Sequence, residues 1–372
     1  WASPWWTAWV AIAYFGSALV IDTLFRGAAF CKHVCPLGHF NFFGSLVSPL
    51  EIQVRDPAAC SACSTKACIT AQPVAETSRA TSLRARRSDA RGCELALFQP
   101  RKVGNVDCTF CLDCIHACPY DNIGIVGRAP TRELWRDPWR SGIGRLSERT
   151  DLAALVTVLT FGAFLNAFAM IRPVYALQEG LARLLGATSR APGLVLIFIL
   201  GLAVLPALLL TAAARLTGLQ MRGIATGAIL RRFIWSLVPM GFGMWLAHYA
   251  FHFLTGALTI VPVIQSFLAD VGLSRIAPRW DLGPIVPLDW VFPIEAALLY
   301  LGATLSIIAA VQIAQDHGSR VPPPEDARQG LAPTLLAALP WIGITLLMLG
   351  FGIWIMLQPM EMRGTMMMVT GG

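Results

Sequence analysis

Residues 108–119 read CTFCLDCIHACP, which sets Cys108, Cys111, Cys114 and Cys118, with Pro119, in the spacing C-x2-C-x2-C-x3-C-P. Bacterial ferredoxins use this run to wrap a 4Fe-4S cube. Three thiolates on one tight loop can reach three corners of a cube. The fourth, carried away by the following helix, serves a neighbouring cube. A structural zinc ion, the alternative, takes ligand pairs separated by a longer linker.

Working outward, Cys60, Cys63 and Cys68 form the related spacing C-x2-C-x4-C, and Cys93 follows after an insertion. Eight cysteines suffice for two cubes. With the ferredoxin crossover, one cube takes Cys60, Cys63, Cys68 and Cys118, and the other takes Cys108, Cys111, Cys114 and Cys93. A buried structural cysteine is the alternative for Cys93. Two adjacent cubes relay electrons and make no bonds, and nearby Lys102 and Arg101 are expected to tune their potential. Sulfide-bridged iron needs thiolates, which suits a reducing compartment.

The rest of the chain is apolar. Of 372 residues, 55% are hydrophobic and 14% charged, with a mean hydropathy of +0.59, whereas soluble domains are about a quarter charged. Runs long enough to cross a hydrocarbon core of about 30 Å occur near 5–25, 151–171, 192–213, 233–254, 291–313 and 334–357. The expected fold is therefore an all-α polytopic membrane protein of about six transmembrane helices with an inserted small α+β two-cluster ferredoxin-like domain. Residues 1–50 would hold the first span, 51–149 the inserted domain, and 150–372 a five-helix membrane domain. Most of the 29 Lys and Arg fall on the side of the insert, including Arg84, Arg86, Arg87 and Arg91 within it and Arg215, Arg222, Arg231, Arg232, Arg320 and Arg328 beyond it. The positive-inside rule then puts the cysteine domain in the cytoplasm of a bacterial inner membrane. In such a chain a charge of +7 speaks for orientation, not for nucleic acid.

Cys31 and Cys35 lie in CKHVCPLGHF. Pro36 suits the first turn of a helix, where a thiolate at Cys35 is favoured. The pair is open to four readings: a metal site with His33 or His39, part of a quinone site, a redox pair, or an inert turn. His248 and His252 share one helix face in GMWLAHYAFHFLTG, with Glu295 just inside the next span. Ionisable groups at membrane depth are costly and mark functional candidates, here a quinone or haem site or a proton-exchange site. Neighbours on one face cannot be the two axial ligands of one haem, so a haem would be shared with a partner subunit; packing by interhelical hydrogen bonds is the plain alternative. Asp22 is expected to pair with Arg26 four residues on. Residues 177–185 suggest a short interfacial helix, Pro322, Pro323 and Pro324 a stiff connection, and Met360, Met362, Met366, Met367 and Met368 either packing or a copper(I) site.

The C-x3-C-P at Cys31, Cys35 and Pro36, followed by the cluster motifs, resembles the membrane polyferredoxins that accompany nitrate reductase and nitrous-oxide reductase. GCELALFQPRKVGNVDCTFCLDCIHACP and LAHYAFHFLTG look closer to the iron-sulfur membrane subunits of FesM type. The nitrate-reductase subunits carry two C-x3-C-P motifs and four spans, against one motif and six spans here. The resemblance implies electron relay between the quinone pool, or membrane or c-type cytochromes, and a dehydrogenase or reductase. It implies no substrate chemistry of the chain's own. Relatives that assemble cytochrome oxidase make a maturation or metal-reducing factor the second implication.

Overall fold

The computed structural model describes residues 3–71, 91–106, 108–140, 142–221, 223–273, 276–320 and 331–359. Arg84, Arg86, Arg87, Arg222, Arg328, Pro322, Pro323, Pro324 and the five tail methionines lie outside the described residues. The chain divides into two compact units, Trp1–Arg145 and Leu146–Gly372.

The first unit opens with α1 (Pro4–Leu24), which is mostly apolar and has no buried residue. Two short helices follow, α2 (Ala29–His33) and α3 (Pro36–Ser45). Arg26 does not pair with Asp22. The helix stops at Leu24 and Phe25 is extended, so Arg26 leaves the i,i+4 register, and Asp22 Oδ1 accepts the Phe30 amide at 3.0 Å instead.

Strand β1 (Leu50–Val54) leads to α4 (Pro57–Ala62) and α5 (Ala67–Thr70). Asp56 caps α4 by accepting the Ala58 amide at 2.8 Å, and Pro57 fits the first helical position. After α6 (Asp113–Ala117) the chain returns as β2 (Ile123–Gly127), which pairs antiparallel with β1 from Leu50 opposite Gly127 to Val54 opposite Ile123. A two-stranded sheet alone is marginal in water. This one is held by the buried cluster of Ile52, Ile123, Cys68, Cys114 and Cys118 and by a network of ion pairs. Glu133, in α7 (Arg132–Arg136), accepts from Arg128 and Arg140, both at 2.8 Å, with all three side chains less than a tenth exposed. Arg128 also donates to the Ser45 and Ser48 carbonyls, which ties β2 to the end of α3.

The second unit is helical: α8 (Thr150–Phe168), α9 (Arg172–Leu184), α10 (Ala191–Ile199), α11 (Leu205–Gly218), α12 (Thr226–Phe233), α13 (Val238–Gly256), α14 (Ile260–Asp270), α15 (Leu288–Arg320) and α16 (Leu331–Met356). A π-helical turn, Leu200–Val204, joins α10 to α11 in one rod. Six helical stretches are long and apolar enough to cross a membrane: Pro4–Leu24, Thr150–Phe168, Ala191–Gln220, Thr226–Asp270, Leu288–Asp316 and Ala332–Met356. The fourth is longer than its apolar run suggests, because α12, α13 and α14 follow one another with only 3-10 turns between them.

Lipid supplies little hydrophobic drive between helices, so close backbone packing and hydrogen bonds must hold them. Gly243 of α13 meets the Leu298 carbonyl and Gly302 of α15, where an added Cβ would come within 2.9 Å. The Met240 amide, unsatisfied at the start of α13, donates to Ser306 Oγ at 2.9 Å. At the same end Arg232 pairs with Asp316 at 3.2 Å. Gly243→Ala is expected to lower thermal stability by about 1–3 kcal/mol through overpacking. Gly350→Ala, where nothing lies within 4 Å, is expected to be neutral or stabilising. Thermal unfolding in detergent distinguishes the two.

Candidate metal centre

The loops that carry the cysteines are wound by residues with positive φ. Phe110 (φ 57) and Leu112 (φ 69) turn the segment between Cys108 and Cys114, and Lys66 (φ 49) turns the segment before Cys68. Non-glycine residues in this region cost of order 1–3 kcal/mol each and persist where the surroundings demand them. The winding curls each loop around a hollow.

Cys60, Cys63, Cys68 and Cys118 line one cavity, with Lys66, Phe98, Tyr120, Asn122 and Ile123 completing its wall. Cys93, Cys108, Cys111 and Cys114 line a second, together with Ile52, Leu97 and Leu112. Cys68, Cys114 and Cys118 belong to one buried cluster with Ile52 and Ile123, so the two hollows share a wall. Cys93 reaches its place by close backbone contact. Its amide donates to the Cys68 carbonyl at 2.7 Å, and an added Cβ on Gly92 would lie 2.2 Å from the Ile69 carbonyl oxygen. Only glycine lets the chain pass there.

Asn122, which the sequence did not single out, organises the first cavity. Its amide nitrogen Nδ2 donates to Cys60 Sγ at 3.3 Å and to the Asp56 carbonyl at 2.7 Å. Its backbone amide donates to Cys118 Sγ at 3.3 Å, and its Oδ1 accepts the Asp56 amide at 2.8 Å. The available signal was its position between the C-P of the motif and the following strand. Lys66 Nζ donates to the Cys60 carbonyl and stands over the Phe98 ring. Lys102 pairs with Glu51 at 3.6 Å, and its charge partly offsets the burial that holds the Cys108 thiol up, whereas Arg101 is exposed.

Burial, and then the neighbouring sulfurs, push the Cys68 thiol up to about 11 and the Cys114 thiol up to about 12. Four thiolates around one small hollow need a cation between them. Among the described residues no group of three or more His, Cys, Asp or Glu side chains closes tightly enough for a single metal ion. A 4Fe-4S cube makes a different demand. It spreads its four thiolates around its own corners, and its iron supplies the positive charge. Two cavities with four sulfurs each fit that group.

In the membrane unit, the contacts of Met240 with Ser306 and of Gly243 with Gly302 fix α13 and α15 antiparallel. His248 and Glu295 therefore lie at the same end of the helix pair. Each is 2% exposed, and among the described residues His248 Nδ1 and Glu295 Oε1 have no hydrogen-bond partner. His252 Nε2 lies 3.3 Å from His248 Nε2, so one ring donates to the other. In the first unit, Cys35 is buried and Cys31 exposed, and all ten cysteines are free thiols. His39 Nδ1 lies 3.0 Å from the Cys35 carbonyl oxygen.

No protein-family model, curated protein or solved structure matches this chain.

Raised thiol values in the folded state stabilise it below the unfolded thiol range near pH 9, and that contribution is lost as pH rises through the folded values. The metal-free protein is therefore expected to lose stability between pH about 9 and pH 11–12. Cys114→Ala should flatten the slope. Thermal melts across that pH range check both.

Proposed function

We propose that this chain is a membrane-bound electron-transfer protein that holds two 4Fe-4S clusters in a small ferredoxin-like domain, as the membrane polyferredoxins do. One observation carries the reading: eight cysteines from three separate stretches fall into two sets of four around two adjoining cavities. Each cluster, when bound, supplies a one-electron redox centre. Cys60, Cys63, Cys68 and Cys118 hold the first and Cys93, Cys108, Cys111 and Cys114 the second.

The chain's own residues prepare these sites. Burial raises the thiols of Cys60 and Cys108, and the Asn122 hydrogen bond to Cys60 and the Phe110 amide beside Cys108 act against it; the Asn122 backbone amide also donates to Cys118 Sγ. Apolar Ile52 and Ile123 keep water from the shared wall, which lowers the dielectric between the centres and couples them. The domain faces the cytoplasm of a bacterial inner membrane, the side favoured by Arg231 and Arg232 under the positive-inside rule. His248, His252 and Glu295 form the membrane contact for a quinone or for a haem shared with a cytochrome partner, with a dehydrogenase or reductase at the other end of the relay.

Iron and acid-labile sulfide analysis should return about eight of each per chain, as two cubes require. Zinc as the main metal, or about four of each, would overturn the reading. Cys118→Ser should damage the cluster held by Cys60, Cys63 and Cys68 and spare its neighbour, seen as loss of one of two paramagnetic signals on reduction. His248→Leu and His252→Leu should abolish electron exchange with quinol or with the cytochrome partner while iron content stays unchanged. Undiminished transfer in both would leave these residues to helix packing.

A further inference from the structure

The Cys31 and Cys35 segment takes no part in the eight-cysteine arrangement, yet it is built with care. Cys35 stands immediately before the ten-residue helix α3, opened by Pro36. Its sulfur is 2.7 Å from the hydroxyl of Tyr14, a contact in which either atom can donate; the Gly38 amide donates to the Cys35 carbonyl at 3.1 Å, and the Leu37 and Gly38 amides at the start of α3 favour the charged form of the sulfur. Burial raises the thiol of Cys35, but the Tyr14 hydroxyl and the amides that open α3 outweigh it and hold the thiol below its ordinary range. The surroundings thus favour the charged form of a sulfur that is 3% exposed.

Cys31 is its opposite. It is exposed, and partial burial, then Cys35, Asp22 and Glu94, hold its thiol up. The Val34 and Cys35 amides both donate to the Phe30 carbonyl, at 2.9 and 2.8 Å, closing one turn on which the two cysteines lie four residues apart. The helix ends at His33 and Cys35 is already extended, which leaves Cys35 near enough to Cys31 for its charge to hold the Cys31 thiol up. The backbone here is packed too tightly to open. An added Cβ on Gly38 would lie 1.6 Å from the Cys31 carbonyl oxygen.

We propose that Cys31 and Cys35 are a redox-active dithiol that reduces accessible disulfides of low molecular weight, with Cys31 as the entry thiol and Cys35 as the resolving thiolate. In the first step Cys31 sulfur attacks one sulfur of the small disulfide. That disulfide bond breaks, a mixed disulfide forms on Cys31, and the departing thiolate takes the Cys31 proton. In the second step Cys35 thiolate attacks Cys31 Sγ, the Cys31–Cys35 bond forms, and the second small thiolate leaves and takes a proton from water. The pair gives up two electrons and the small disulfide gains them as two thiols. Exposure selects Cys31 for the first step, although its thiolate fraction is low. The resolving step needs no solvent access, only a nearby sulfur whose charged form is favoured. Tyr14 acts as a positioning residue that favours the charged form of Cys35.

The inference does not depend on the clusters, and one experiment keeps the two apart. Full-length protein in detergent is treated with oxidised glutathione, quenched with acid and alkylating reagent, and read by peptide mass spectrometry. Wild type should release glutathione and return the Cys31 and Cys35 peptides joined by a disulfide. Cys35→Ser should keep glutathione on Cys31, and Cys31→Ser should leave Cys35 unmodified. Tyr14→Phe should slow resolution at pH 7 by about tenfold, the worth of one hydrogen bond to a charged group. That deficit should vanish by pH about 10, above the ordinary thiol range. Equal retention of glutathione in wild type and Cys35→Ser, no modification of Cys31 in either, or a Tyr14→Phe rate that does not depend on pH in this way would each overturn the proposal. Size-exclusion profiles of the variants report on folding, and iron analysis of the same samples reports separately on the clusters.

Discussion

The antiparallel pairing of Leu50–Val54 with Ile123–Gly127 is the constraint on which the first unit depends. Because the strands run in opposite directions, the chain leaves β1 and enters β2 at one end of the ladder, where Val54 faces Ile123. Cys60 follows β1 within a few residues and Cys118 precedes β2 by as few. The ladder therefore closes a long loop with the two cysteine segments at its neck. A five-residue pair cannot stand on its own hydrogen bonds. It rests on Ile52 and Ile123 inside and on Glu133 between Arg128 and Arg140. Removing one partner from such a buried network leaves an uncompensated charge, which costs about 3–5 kcal/mol.

That closure also creates an electrostatic problem. Burying sulfurs beside sulfurs is tolerable when they are neutral thiols, or when iron supplies the opposite charge. Donors are already aimed at sulfur, Asn122 Nδ2 on Cys60 and the Asn122 amide on Cys118, although burial still holds the Cys60 thiol up. Their cost is accepted locally, in the left-handed backbone of Lys66, Phe110 and Leu112.

The membrane unit answers a different solvent. Its helices meet through glycine, serine and threonine contacts. Gly243 meets Gly302, Met240 donates to Ser306, and Trp341 Nε1 donates to Thr217 Oγ1 at 3.1 Å. Among the described residues of this unit His248 Nδ1 and Glu295 Oε1 lack a hydrogen-bond partner, as do Thr160 Oγ1 and Trp235 Nε1, and a buried polar atom without a partner costs about 1–3 kcal/mol. Those of His248 and Glu295 lie at the end of the helix pair away from Arg232 and Asp316, whose charges are paired.

The sequence alone was enough for one feature because it is local: six apolar runs are legible since a span needs only length and composition. The two cysteine sets rest on ligand spacing, which within one loop is also a short-range property. Other features exist only in three dimensions. Cys93 reads as a ligand, with a buried structural thiol as the alternative, and it comes to the second cavity because Gly92 passes the Ile69 carbonyl and its own amide meets Cys68. Asn122 carries no motif, and its role needs Asp56 and Cys60, more than sixty residues away, brought within hydrogen-bond reach. Asp22 and Arg26 have the spacing of a helical pair, but a helix end at Leu24 separated them. Tyr14 and Cys35 belong to different helices, and their 2.7 Å contact follows from how the chain turns back after α1. Spacing along a chain fixes what one loop can hold, whereas only packing decides which distant groups face it.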